Sequence, residues 1–162
     1  LDDFMRHWPT ADPYTYVDFF RDGNARTGNA SELRLCEQWT AGPKSVFQFD
    51  VQGQVATSTH AGLPWLLWLR EMFGAKPRPH FWPFDGFEVP EGKSVVAEVY
   101  PSLFRRRYPK ENRTPDEHDA YCVAAWLAET ERRGTLDLYF KPPLALSELR
   151  KSRLEGWILG VC

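Results

Sequence analysis

Ser94-Val95-Val96-Ala97-Glu98-Val99-Tyr100-Pro101, followed by Thr114-Pro115-Asp116-Glu117-His118-Asp119-Ala120, is the stretch that decides how this chain folds. Its first part is a run of β-branched and apolar residues between Gly92 and Pro101, the pattern of a mostly buried strand. Glu98 interrupts the run, and a carboxylate inside a buried strand is costly unless it is paired, hydrogen-bonded or bound to a metal. The second part opens a helix. Thr114 and Glu117 make a capping box, and Pro115 takes the first helical position. Gly134 closes the helix after Arg132 and Arg133, whose charge suits the negative end of the dipole. At about 100° per residue, Ala120, Val123, Ala124 and Leu127 fall on one apolar stripe. Asp116 and Asp119 continue that stripe toward the N-terminus, whereas Glu117 and His118 point elsewhere. Two acids thus extend the buried face of a helix just after a strand bearing a third.

Each acid also has an ordinary structural role. Asp is favoured in the first turn of a helix by the dipole, which is enough to account for Asp116. Asp119 lies about a turn further in, where that argument weakens. Glu98 has a ready partner in the Arg105-Arg106-Arg107 run.

The segment Glu98-Val99-Tyr100-Pro101-Ser102-Leu103-Phe104-Arg105-Arg106-Arg107-Tyr108-Pro109, with the helix around His118-Asp119-Ala120, resembles an uncharacterised family assigned a ribonuclease H-like fold. In that family a strand-borne Glu precedes a helix with an Asp-x-x-Asp-Ala or His-Asp-Ala pattern. The resemblance runs from Ser45 to the C-terminus and includes Glu155-Gly156-Trp157-Ile158-Leu159-Gly160-Val161. It implies that Glu98, Asp116 and Asp119 face a metal ion. It also departs from the family, whose opening hairpin supplies a further essential Asp. No such strand stands before Val46, and Asp50, after Val46 to Phe49, is the nearest substitute. The chain, which begins at Leu1, therefore reads as a single domain over 1–162 and as the C-terminal portion of a longer ribonuclease H-like protein.

A length of 162 residues is about one domain's worth. The net charge of −2 argues against a general nucleic-acid coat, although local patches still bind phosphate. Cys36, Cys122 and Cys162 are odd in number and lack ligand spacing, which points away from a disulfide framework and toward a reducing, cytoplasmic location. No stretch is long and apolar enough to span a membrane, and no signal-peptide pattern opens the chain.

Ahead of the deciding stretch, Leu1 to Trp8 reads as a helix tail and Asp12-Pro13 as the start of a helix through Phe20. A loop follows over Asn24 to Ala30, then a short helix within Ser31 to Trp39. Ser45 to Asp50 reads as a strand. The donor-rich loop Gln52 to His60 leads into a helix from about Gly62; it lacks the P-loop pattern, and its simplest role is a connection with an ordinary cap. Trp65, Leu66, Leu67, Trp68, Leu69, Met72 and Phe73 make that helix apolar nearly all round. It therefore calls for cover from the sheet, another element or a second copy in a homo-oligomer. His80 to Phe84 is a further strand, with Phe81 to Tyr100 holding two neighbouring strands joined by an excursion.

Pro101 to Pro109 is a short helix or turn with a basic patch. Its Arg and Tyr residues suit phosphate and base stacking, and equally suit neutralising nearby acids or facing solvent. Thr135 to Phe140 reads as an apolar link, Ser147 as the cap of a helix over Glu148 to Leu154 that stops at Gly156, and Trp157 to Val161 as an apolar end that docks on the body.

The expected architecture is α/β, a mixed sheet with flanking helices, ribonuclease H-like without its first strands. Three clustered carboxylates need a divalent cation, and hard oxygen ligands suit Mg²⁺ or Mn²⁺. The leading expectation is a metal-dependent phosphodiesterase or nuclease with Glu98, Asp116 and Asp119 as ligands, His118 as a secondary candidate for proton transfer, and Arg105, Arg106 and Arg107 contacting nucleic acid. The alternative is a catalytically degenerate domain of the same fold that binds a partner or oligomerises. A small-molecule hydrolase built on Asp85 to Glu91 has only scattered acids behind it.

Overall fold

The computed structural model describes residues 33–40, 45, 56–71 and 78–162. The expectations for Leu1 to Ala30, for the strand over Val46 to Asp50 and for Asp50 itself lie outside these residues. The chain divides into two compact units, Leu1–Pro79 and His80–Cys162.

In the first unit, α1 (Leu35–Gln38) occupies the segment expected to hold a short helix, with Arg34 ahead of it. Glu37 reaches back to Arg34, accepting from its backbone N–H at 2.8 Å and from its Nε at 2.9 Å. The second helix, α2 (Ala56–Glu71), begins before the expected start at Gly62 and carries Pro64 within it. Ala56 to His60, read as part of a donor-rich loop, thus belong to its first turns. Its aromatic and leucine cluster faces solvent: Trp65 is 67% exposed, Leu66 42%, Leu67 52% and Trp68 46%.

The second unit mixes helix and strand. Strand β1 (His80–Phe81) pairs in parallel with β2 (Val95–Val96), and β3 (Glu98–Val99) pairs in parallel with β4 (Ile158–Leu159). The expected neighbouring strands between Phe81 and Tyr100 are therefore present, but as ladders of two residues each. The long buried strand Ser94 to Tyr100 is not. It breaks at Ala97, its valines are half-buried, and Glu98 is exposed. Glu98 stands in solvent, so it does not carry the cost of a carboxylate buried in a strand.

Two tight 3₁₀ turns, Pro101–Leu103 and Arg105–Arg107, carry the chain from β3 to α3 (Pro115–Arg132). The start of α3 is as the sequence specifies. Glu117 N–H donates to Thr114 Oγ1 at 3.3 Å, and Thr114 N–H donates to Glu117 Oε2 at 2.8 Å. Pro115 stands at the first position, and Gly134, at φ 65°, follows the last turn. A short helix α4 (Leu136–Tyr139) replaces the expected apolar link, and α5 (Leu146–Glu155) ends at Gly156 as expected. The cap of α5 is Ala145, not Ser147: Glu148 accepts the orphan Ala145 N–H at 2.8 Å.

The buried face of α3 is not the alanine stripe. His118, Cys122, Trp126 and Thr130 are buried, while Ala120 and Ala124 are exposed. Alanines gain little from burial, whereas one indole removes a large apolar area from water, so Trp126 sets the rotation of the helix. Its ring stacks on Phe104 at 4.1 Å between centroids and meets Tyr139 edge-on at 5.0 Å. The same rotation brings His118 inward rather than away, and leaves Asp116 in solvent.

The apolar end docks as expected. Trp157, Ile158, Leu159 and Val161 are all buried, and Trp157 Nε1 donates to the Val161 carbonyl at 3.0 Å. Gly160 has φ 100°, and a Cβ there would lie 2.7 Å from Phe104 Cζ and 3.5 Å from the Trp126 ring. Both the backbone angle and the stacked rings exclude a side chain at this position. Trp82 completes the core, donating from Nε1 to the Phe140 carbonyl at 3.2 Å between edge-on contacts with Phe87 and Phe140.

Candidate functional site

The residues between Phe104 and Tyr121 form the most highly charged edge of the second unit. Phe104 is buried against Trp126, and the next three residues, Arg105, Arg106 and Arg107, are exposed. The turn that anchors the core ring therefore presents three guanidinium groups to water.

Arg105 lies against α3. Its Nε donates to Asp119 Oδ1 at 2.5 Å, and its Nη2 donates to Asp119 Oδ2, a fork on one carboxylate. The arginine hydrogen bonds hold the Asp119 carboxyl below its ordinary range, with burial opposing and the charge of Arg105 assisting. The Arg105 pKa is raised by the same hydrogen bonding. Asp119 is half-buried beside the core face, as a residue flanking His118 and Cys122 on α3 must be.

Arg106, Arg107 and Lys110 are exposed, and none of their side chains forms a hydrogen bond or an ion pair among the described residues. Arg113 is held differently. Its Nη1 donates to the Pro109 carbonyl at 3.2 Å and lies 3.0 Å from Glu111 Oε2. Its Cζ stands 3.7 Å from the centroid of the Tyr121 ring. Tyr121 in turn meets Tyr108 edge-on at 6.0 Å, and Tyr108 donates its hydroxyl to Glu129 at 2.8 Å. Burial raises the Tyr108 phenol, the Glu129 bond adds to the shift, and the donated hydrogen bond lowers the Glu129 carboxyl. A depression of about 440 Å³, open to solvent, is lined by Glu111, Asn112, Arg113 and Glu117.

The three acids singled out in the sequence stand as follows. Glu98 is on β3 and exposed, Asp116 is in the first turn of α3 and exposed, and Asp119 is engaged by Arg105. The described residues contain no group of three or more His, Cys, Asp or Glu side chains able to hold a metal ion. His118 is buried, with Cys122 Sγ 3.5 and 3.6 Å from its two ring nitrogens, so the sulfur packs on the imidazole and encloses it. That setting suits packing rather than proton exchange with a substrate. Asp85 accepts from the Phe81 N–H at 2.9 Å and serves the turn after β1.

Sequence reading reached Tyr108 with the arginine run but passed over Arg113 and Tyr121. The available signal was the alternation of aromatic and basic residues from Tyr100 to Tyr121, which continues past the arginine triplet. Among the described residues no helix is long and apolar enough to cross a membrane. No protein-family model, curated protein or solved structure matches this chain.

Proposed function

We propose that the second unit is a non-catalytic binding module for a phosphate-bearing polymer, with the ribonuclease H-like fold implied by the resemblance but with degenerate acids. The observation that carries this reading is the Arg105–Asp119 fork. It places a cation on the carboxylate that a metal site would need, and it fixes the basic turn to a long helix. Arg106, Arg107 and Lys110 then project with no side-chain hydrogen bond or ion pair among the described residues, as phosphate-contacting side chains do. The parallel pairing of β3 with β4, and an acid-bearing helix soon after β3, support the fold assignment.

Phosphate contacts of this kind release counterions, so affinity falls with salt. The test is a fluorescence titration of the full chain with a labelled oligonucleotide at several salt concentrations. Arg106→Ala and Arg107→Ala should each lower the salt slope by about one. Asp119→Asn should hold or raise affinity, because it releases the Arg105 fork. A metal-dependent phosphodiesterase predicts the reverse: Mn²⁺-dependent cleavage and calorimetric Mn²⁺ binding, both lost in Asp119→Asn and Glu98→Gln. That pattern, or an absence of oligonucleotide binding at low salt, would sink the proposal.

A further inference from the structure

We propose that the depression beside Arg113 receives a nucleobase, making single-stranded nucleic acid the preferred ligand; this rests on the polymer-binding reading above. The cations of this edge are divided among three tasks. Arg105 is neutralised by Asp119, and Arg106, Arg107 and Lys110 are left to meet phosphates. Arg113 offers little net charge, since Glu111 lies 3.0 Å away and the Pro109 carbonyl takes a further donor. What it offers is a plane.

That plane is held from two directions. Tyr121 supports one face at 3.7 Å, and the Nη1 edge is tied to Pro109 and Glu111. Tyr121 is braced by Tyr108, which Glu129 fixes through the phenol oxygen. Arg113 also lines the depression, so a base entering there meets a pre-positioned guanidinium backed by a ring. Guanidinium planes and aromatic rings are the surfaces on which unpaired bases stack. The remaining lining favours a base over a phosphate. Glu111 and Glu117 would repel an anion, whereas carboxylates accept from exocyclic amino groups and the Asn112 amide both donates and accepts. The depression, about 440 Å³ and open to solvent, leaves room for one base to stack on the guanidinium. In a duplex the bases face each other and cannot enter, so the discrimination is for single strands.

The test compares three probes on the full chain at one salt concentration: a single-stranded oligonucleotide, the same sequence as a duplex, and inorganic polyphosphate as a base-free polyanion. The single strand should bind about tenfold tighter than polyphosphate, the order expected of one stacked base. Arg113→Lys keeps the charge but removes the plane, and it should erase that preference while leaving polyphosphate affinity unchanged. Asn112→Ala, at an exposed position, should narrow the preference without disturbing folding. If all three probes bind alike and Arg113→Lys changes nothing, the base site is wrong and the phosphate reading stands. If polyphosphate and single strand both fail to bind wild type, the phosphate reading fails first and takes this one with it.

Discussion

Phe104 and Arg105 are adjacent in the chain and belong to opposite regions of the second unit. Phe104 is buried on Trp126, under Gly160, in a packing arrangement with no room for one extra carbon. Arg105 is exposed, and its partner Asp119 lies on the same helix as Trp126. The first region gains stability from area removed from water and tolerates little change of shape. The second is held by charge-assisted hydrogen bonds in high dielectric, where each contributes little to stability. A surface that costs little to alter is available for binding, provided something rigid positions it. Here the stacked Phe104 ring does so from one side, and the capped start of α3 does so from the other.

That contrast yields predictions of decreasing size. Trp126→Ala should cost about 3–5 kcal/mol in chemical denaturation, since it empties the centre of the core. Trp126 Nε1 is buried without a hydrogen-bond partner among the described residues. Both Trp126→Phe and Trp126→Ala remove that unsatisfied donor, but only Phe keeps a ring against Phe104, so Trp126→Phe should cost less. Equal losses from the two substitutions would show that stacking contributes nothing here. Gly160→Ala should cost about 2–4 kcal/mol by adding a left-handed backbone penalty to a clash with Phe104. An unchanged melting temperature would mean that the C-terminal segment does not pack on these rings.

Thr114→Ala removes the capping bonds to Glu117 and should cost about 1 kcal/mol. It would also loosen the edge, so oligonucleotide affinity should fall alongside stability. Affinity that holds steady while stability drops would separate the helix start from the site.

The smallest stability effect belongs to Asp119→Asn, about 0.2–1 kcal/mol for a pair open to solvent. Its sign depends on pH. The folded-state carboxyl is depressed by Arg105, so the pair stabilises the fold above the ordinary Asp value of about 3.9. The contribution is lost as pH falls through the folded value. Asp119→Asn should therefore lower the neutral plateau of a stability–pH curve by that amount, flatten its acid limb, and meet the wild-type curve at acid pH. A steeper acid limb would place the depressed carboxyl elsewhere.

Local chemistry carried much of α3 into the sequence. Thr114, Pro115, Glu117 and Gly134 specify where the helix begins and ends because capping and backbone preference act within a few residues. Gly156 stops α5 for the same reason, and the final apolar segment docks because it has no polar face to show. The alanine stripe misled because periodicity names faces without weighing them. Ala120 and Val123 match the helical period, but Trp126 has more to gain from burial, and its partners Phe104, Tyr139 and Gly160 come from distant parts of the chain. The candidate site followed that rotation. The sequence named Asp119 and the arginine run and allowed the arginines to neutralise a nearby acid. It offered Glu98 as a partner and did not single out Asp119, because Arg105 and Asp119 stand 14 residues apart with a turn between them. Only the packing of the basic turn onto α3 decides that Asp119, rather than Glu98, takes the Arg105 guanidinium, and that Arg113 stands over the Tyr121 ring. Capping and turn chemistry are short-range and therefore legible in order along the chain. Which face is buried, and which charges meet, depend on contacts between distant residues, and those exist only once the core has closed.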